Sequence, residues 1–428
     1  MKGGLDVKVV KVKVLANESL CTSCGTCSGI CPQGAIQLIR DERRGILLPY
    51  VDEEKCTNCG LCLEVCPGRE INFIKMNWEV FGKIPRDPFI GNYIRCYIGY
   101  ARDLRIRLNG ASGGIITALL LFLLEEEIID GVVVAVMREY TKPKPYVIRK
   151  PKDLLAAQGS IYMPVPMGTI IKYIMRHEER YAIVGLPCHI EGLRKAERLF
   201  RELRERIILR VGLFCGGIIN LLGHSFILRK MKVDVNNVKN IKYRGRGWPG
   251  YIRIILRDRK EKRVPFIIFW SLVYPFFLPI RCILCLDPTN ELADLSCGDA
   301  WLPEIIKRDR IGTSLIITRT KKGDELVRRA IEKHYIEAVE TTASDVIRSQ
   351  GTGLLYRKID NVVRRYMLKK LGLQVPKYVY PYSRSNITSY LRTFITYLKL
   401  MCGRYQLNGL IDLYSLVNRA YYHRKYYP

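Results

Sequence analysis

Two cysteine runs carry the plainest chemistry in this chain. "CTSCGTCSGICP" sets Cys21, Cys24, Cys27 and Cys31 ahead of Pro32, and "CTNCGLCLEVCP" sets Cys56, Cys59, Cys62 and Cys66 ahead of Pro67. A Cys-x2-Cys-x2-Cys-x3-Cys-Pro run gives three thiolates to one 4Fe-4S cluster and its fourth to the neighbouring cluster. The spacing therefore predicts one cluster on Cys21, Cys24, Cys27 and Cys66, and a second on Cys56, Cys59, Cys62 and Cys31. Paired zinc sites are the alternative, but zinc wants four ligands in a closed local site and has no use for a crossed fourth cysteine or for the Cys-Pro pair. The expected chemistry is one-electron transfer.

A second set of thiols lies far downstream: Cys188 in "VGLPCHIEGL", Cys215 in "GLFCGG", and Cys282 and Cys285 in "RCILCLD". Each follows a predicted strand or adjoins a glycine, where a cofactor can approach the backbone. Four such thiols suit one further cluster; the alternative is free cysteine used as a small buried residue. Cys297 competes for the fourth position, and Cys96 and Cys402, isolated in apolar surroundings, read as structural. "NGASGGIITALL" puts small residues between a strand and a helix start, where unpaired N–H groups and the positive dipole end welcome a phosphate. Ser112 acting only as a helix cap is the competing reading. "AAQGSIYMPV" and "YRGRGWPG" are glycine-rich loops suited to a ring-and-phosphate ligand. Clusters pass electrons singly whereas common soluble reductants give up a hydride, and a flavin joins the two regimes.

The elements that must position these groups follow from pattern. With 428 residues, 48% of them hydrophobic, the chain can bury several cores. Its fifteen cysteines in metal-type spacings do not describe a secreted disulfide scaffold, and the valine–lysine alternation of the first residues is not a signal peptide. The expected setting is cytoplasmic, free or peripheral to the inner face of the membrane. Valines 10, 12 and 14 alternate as a strand, and "AIQLIRDERRGILLPYVDEE" reads as a hairpin. "NWEVFGKIPRDPFIGNY" reads as an irregular linker because of Pro85 and Pro88. From Arg95 the texture is α/β: "CYIGYA", "GVVVAV", "YAIVGL", "RIILRVGLF" and "TSLIITRT" are strand candidates between helices, with an antiparallel patch around "VKNIKYRGRGWPGYIRIILRD". The fold class is thus α/β (α+β overall), divided as a two-cluster ferredoxin module at 1–75, a linker at 76–94, a flavin and iron–sulfur domain at 95–345 and a basic, helical extension at 346–428.

Two apolar stretches, 115–124 and 264–280, fall short of a membrane span; the second also carries three prolines. The net charge of +29 favours an acidic partner, although a salt-bridge-laced surface of a heat-adapted protein explains it equally. No nucleic-acid-binding signature is present. In "SYLRTFITYLKLMCGRY" the helical period puts Leu391, Ile395, Leu398 and Cys402 on one face, a candidate cover for the core, while "NRAYYHRKYYP" alternates basic and aromatic residues as a docking segment would.

In order along the chain, "NGASGGIITALL", "QGSIYMPV", "VGLPCHIEGLRK", "LFCGG", "YRGRGWPG" and "CILCLDPTNELADLSCGDAW" together resemble the coenzyme F-420 hydrogenase/dehydrogenase beta-subunit family over roughly Arg95 to Thr342. The resemblance implies an oxidoreductase with FAD, a third 4Fe-4S cluster, and electron exchange with the reduced deazaflavin coenzyme F-420 or, in other members, a different substrate. An adaptor subunit without its own substrate is the alternative. The resemblance further implies that Ser112, Gly113 and Gly114 face the FAD phosphates, that Gly159, Ser160 and Tyr162 with Arg244 and Gly245 line the flavin, and that Cys188, Cys215, Cys282 and Cys285 hold the third cluster. It also implies a redox partner protein or membrane-associated complex. The basic extension has no counterpart in that pattern.

Overall fold

The structure is a computed structural model that describes residues 16–17, 19–382 and 387–414; the valine-rich start and "NRAYYHRKYYP" lie outside the described residues. The first module is built on an antiparallel hairpin, β1 (Ile36–Asp41) and β2 (Ile46–Val51), in register from Ile36 opposite Val51 to Asp41 opposite Ile46. Its turn ends at Gly45, which has φ +65° and whose carbonyl accepts from the Leu221 N–H at 2.8 Å. A Cβ there would lie 2.8 Å from the Leu222 nitrogen, so glycine is what lets the hairpin tip touch the body.

After β3 (Glu70–Asn72) the chain enters a helix, Phe73–Phe81, capped by the Asn72 side chain on the Lys75 N–H and ended by Gly82 at φ 67°. The first part of the expected irregular linker is therefore helical. The prolines lie beyond the helix, and Phe73 and Met76 are buried on one face of it, so local breakers never compete with that packing.

The body is an eight-stranded mixed sheet. It draws on β4 (Arg95–Ala101), β5 (Gly131–Val136), β6 (Lys144–Ile148), β7 (Tyr181–Gly185) and β8 (Ile207–Leu213). A separate antiparallel sheet follows from β9 (Val238–Lys242), β10 (Tyr251–Leu256) and β11 (Glu261–Pro265). The main sheet is completed by β12 (Leu295–Asp299), β13 (Ser314–Thr318) and β14 (Ile336–Thr341), in the order β14-β4-β13-β12-β8-β7-β5-β6. Strands β5, β7, β8 and β12 are parallel, and antiparallel pairs flank them on both sides. Val132 and Val134 enter one buried layer and Val133 the other, the period-two alternation of a strand covered on both faces.

Both apolar stretches are internal. Ile115–Glu125 is a helix buried almost all round, and Phe266–Val273 packs against the three-stranded sheet. Among the described residues no helix is long and apolar enough to cross a membrane.

The chain after residue 342 is woven into this body. Helix Ala343–Lys358 buries Val346 and Leu354, helix Asn361–Lys370 buries Val363 and Leu368, and β15 (Lys377–Val379) pairs in parallel with β3. Helix Ile387–Arg404 reverses the expected face. Ser389, Thr393, Thr396, Leu400 and Gly403 are buried, whereas Leu391, Ile395 and Leu398 are 63%, 41% and 48% exposed. The reason is close approach: a Cβ at Gly403 would stand 2.0 Å from the Phe276 carbonyl oxygen, and Arg392 and Ser389 bind Asp360 at 2.7 and 2.6 Å. Apart from Leu400, that seam is lined by small and polar residues.

Candidate electron-transfer site

The two cysteine runs fold alike. Ser23 and Gly25 in the first, and Asn58 and Gly60 in the second, all have positive φ, and each run continues into a short helix, Thr26–Ile30 or Leu61–Glu64. The turns gather the thiols into two neighbourhoods. The Cys21 thiol is pushed up to about 12, chiefly by burial, with neighbouring Cys24 and Cys66 contributing to the rise. Cys27 is raised by burial and then by Cys24, Cys21 and Cys66. In the other group Cys62 is pushed up to about 11 by burial, with Cys59, Cys31 and Cys56 as its sulfur neighbours. Cys66 thus stands with the first run and Cys31 with the second. Packed thiols that resist ionisation one by one suit a polycation that takes several thiolates together.

This module is clamped to the body at Cys24. The Cys24 carbonyl accepts from the Gly168 N–H at 2.7 Å, and Cβ atoms at Gly29 or Gly192 would collide with the Gly168 carbonyl or the Thr26 hydroxyl. The helix Pro187–Glu197, which carries Cys188 in its first turn directly after β7, therefore lies against the first run. Cys215 follows β8, and Cys282 and Cys285 sit in and just after the single turn Ile280–Ile283.

These four thiols form a third neighbourhood. Burial raises Cys188 well above its ordinary value, with Cys24, Cys215 and Cys282 adding to the rise. Cys215 is pushed up to about 12 by burial, then by Cys282, while Arg357 opposes. Cys297 stands apart: it is raised to about 12 by burial alone and packs in the apolar layer under β12. Cys96 is likewise buried among apolar residues, and Cys402 is half-buried against the neighbouring core.

Two guanidinium groups line the third neighbourhood, and sequence reasoning missed both. Arg357 donates to the carbonyls of Cys282 and Gly216, and Arg281 donates to the Pro67 carbonyl at 3.1 Å. Arg281 was findable, since it directly precedes Cys282; Arg357 arrives from a helix seventy-odd residues away.

At the carboxyl ends of β7, β8 and β12, where ligands of such sheets bind, lies a cavity of about 240 Å³. Ser112, Gly114, Gly159, Ser160 and Tyr162 line it, together with His189, Cys215, Cys297 and Asp299. Gly114, at φ 75°, opens the helix Ile115–Glu125 towards the cavity. Gly113 lies behind the wall: its N–H donates to the Ser314 hydroxyl at 2.9 Å, and a Cβ there would stand 2.6 Å from the Gly99 carbonyl. Gly245 (φ +100°) turns beneath Asn109, and Arg244 is held by Asp299 at 2.7 Å and reaches the Tyr162 hydroxyl at 3.3 Å.

Asp299 also accepts from the Trp248 indole at 2.6 Å and so organises this corner. It stands in the quoted "SCGDAW", yet its role depends on strand pairing and was invisible in the string. Arg244 further lines an adjoining groove of about 960 Å³ with Arg138, Lys150, Lys152, Lys242 and Arg253. The cavity's small and glycine-rich walls, helix start and basic neighbour fit a flavin nucleotide in the chemistry of their donors.

Comparison with known proteins agrees with this architecture. Residues 20–69 match the 4Fe-4S dicluster domain family; residues 96–172 and 178–344 match the N-terminal and C-terminal parts of the coenzyme F-420 hydrogenase/dehydrogenase beta subunit. The chain is 29% identical to a coenzyme F-420 hydrogenase subunit beta of Methanothermobacter thermautotrophicus, over 58% of this chain and 85% of the relative. It is 28% identical to a coenzyme F-420-dependent sulfite reductase of Methanocaldococcus jannaschii over 75% of this chain, spanning about half (47%) of that relative's length. A chain of the F-420-reducing [NiFe] hydrogenase complex from Methanosarcina barkeri superposes with a TM-score of 0.53 and 25% identity, over 66% of this chain and 95% of that one. The chain is a member of the coenzyme F-420 hydrogenase/dehydrogenase beta-subunit family, an iron–sulfur oxidoreductase family, with a 4Fe-4S dicluster domain at its front.

Proposed function

We propose that this protein exchanges two electrons with reduced coenzyme F-420 through FAD bound at the 240 Å³ cavity and extending into the groove that adjoins it, and passes them singly through three 4Fe-4S clusters, ligated as the cysteine neighbourhoods group them. One observation carries the reading. Cys215 belongs both to the cavity wall and to the third thiol neighbourhood, and Cys188 of that neighbourhood stands beside Cys24 of the first. The cavity and the ferredoxin module are thus the two ends of one line of thiols. Bound FAD would supply the conversion between hydride and single electrons.

The protein's own groups divide the work. Ser112 and Gly114 offer a helix start to phosphate, Tyr162 and Arg244 fix the ring side, and Asp299 keeps Arg244 in place. Cations of the adjoining groove suit the acidic tail of a deazaflavin coenzyme. Relatives named as subunits favour a partner chain as the one-electron acceptor. An acidic partner would meet the chain's +29 surface, and the exposed Leu391, Phe394 and Leu398 of helix Ile387–Arg404 offer it an apolar seat.

The test uses anaerobically purified full chain. It should contain bound FAD and about twelve irons, and reduced coenzyme F-420 should bleach the flavin faster than NADH or NADPH. About eight irons would remove the third cluster from this reading, absence of flavin would favour the adaptor alternative, and faster reduction by NADH or NADPH would replace the substrate.

A further inference from the structure

Arg281 is among the largest fully buried side chains, 1% exposed, yet among the described residues it forms no ion pair with a carboxylate. Its Nη2 donates to the Pro67 carbonyl, its Nε has no partner, and its guanidinium lies 5.6 Å from the centre of the Tyr378 ring. A buried cation without a carboxylate paired to it is costly enough that proteins seldom keep one. Its position says where the anion belongs. Arg281 directly precedes Cys282, and the carbonyl it binds follows Cys66, so one side chain spans the third thiol neighbourhood and the first. Arg357 differs: it donates to the carbonyls of Cys282 and of Gly216, next to Cys215, and so touches the third group alone.

We propose that Arg281 is the shared counter-charge of two redox centres, the one at Cys21, Cys24, Cys27 and Cys66 and the one at Cys188, Cys215, Cys282 and Cys285, and that it raises both potentials together. The proposal rests on the ligand reading above. A cluster gains negative charge on reduction, so a fixed cation in a dry setting favours the reduced form. Because one cation serves both centres, removing it moves both potentials in the same direction. Arg281 is a positioning residue in this sense: it touches the Pro67 backbone and acts on the centres through space.

Redox titration of the anaerobic full chain, followed by electron paramagnetic resonance and iron content, tests this. The centre missing in Cys215→Ser identifies the third one. In Arg281→Gln two midpoints should move to more negative values while the centre on Cys31, Cys56, Cys59 and Cys62 stays; in Arg357→Gln only the third centre should move. Arg281→Gln with full iron and unmoved midpoints, or with only one moved, overturns the proposal. If that variant sheds iron, the neutral Arg281→Met is titrated in its place: full iron with both midpoints lowered upholds the proposal, and full iron with unmoved midpoints, or only one moved, overturns it. A wild-type chain with no more than about eight irons would instead overturn the ligand reading beneath it.

Discussion

The ferredoxin module and the downstream thiol site reach the same end by different means. In the module, eight cysteines between residues 21 and 66 are set by two copies of one turn, each with a glycine at φ 80–81° before a short helix. Downstream, Cys188, Cys215, Cys282 and Cys285 are held by the start of a helix, the end of β8 and a single turn, with Arg357 entering from the chain's last third. The first arrangement is local and survives wherever the turns form. The second exists only while β7, β8 and β12 keep their order, so the gathering of those thiols depends on global stability.

The largest effect should come from breaking that order. Asp294, just before β12, binds Arg194 at 3.0 Å and accepts from the Arg210 N–H at 2.8 Å, while Glu197 holds Arg210 at 2.8 Å and Arg194 at 3.2 Å. All four side chains are buried. Asp294→Ala would leave two buried guanidinium groups with one carboxylate, a loss of about 3–5 kcal/mol. Thermal unfolding should shift down sharply. Iron analysis should show the downstream site emptied first and the eight module cysteines still loaded; equal loss from both would break the contrast between the two regions.

The same contrast decided what the sequence disclosed. Cysteine spacing, the β1–β2 hairpin and the apolar strands β5, β7 and β8 were legible because their information is local: a turn period, an alternation, a run of valines. Arg357 and the role of Asp299 were not, because each acquires its function from a neighbour brought in by topology. His189 stood beside Cys188 in a quoted motif, but only the sheet shows that it faces the cavity. Helix Ile387–Arg404 misled for a third reason. Periodicity identifies an apolar stripe, and the body selected instead the stripe of small residues that lets Gly403 lie against the Phe276 backbone.

Acid should also divide the two regions. All five histidines lie outside residues 1–75, and among the described residues His189 and His224 are buried in the body. Burial holds both His189 and His224 down to about 4, against partial relief from hydrogen bonds to the backbone. Since the folded values lie below the unfolded value of about 6.5, the unfolded chain takes up protons first as pH falls. Stability from these groups is therefore complete above about pH 6.5 and is lost progressively down to about 4, by about 2 kcal/mol for each histidine between pH 7 and pH 5. Melting temperature measured across that interval should fall, and His224→Gln should flatten the slope by roughly half. An unchanged slope would place the acid sensitivity elsewhere.

The smallest effect on the fold, and the one that bears on the partner, concerns the exposed stripe. Leu391, Phe394 and Leu398 are 63%, 52% and 48% exposed, on a helix whose other side is fixed by Asp360 and by the Gly403 contact. Because these side chains add little buried area to the monomer, Leu391→Lys or Phe394→Lys should change stability by no more than about 0.5 kcal/mol. Iron, flavin and reduction by small dyes should stay as in the unaltered chain. If the stripe seats a partner, the same substitutions remove apolar contact from the centre of that interface and should weaken binding to the electron acceptor. Removing basic residues around it should change the salt dependence of association instead. Truncation before residue 387 is the harsher variant, since it also takes Arg392 and Ser389 from the buried Asp360 carboxylate. It should lower stability even without a partner, which separates it from the point substitutions. Point variants that fold, hold iron and still bind the acceptor at full strength would show that electrons leave by another face, with the exposed flank of the module at Cys59 then the natural exit.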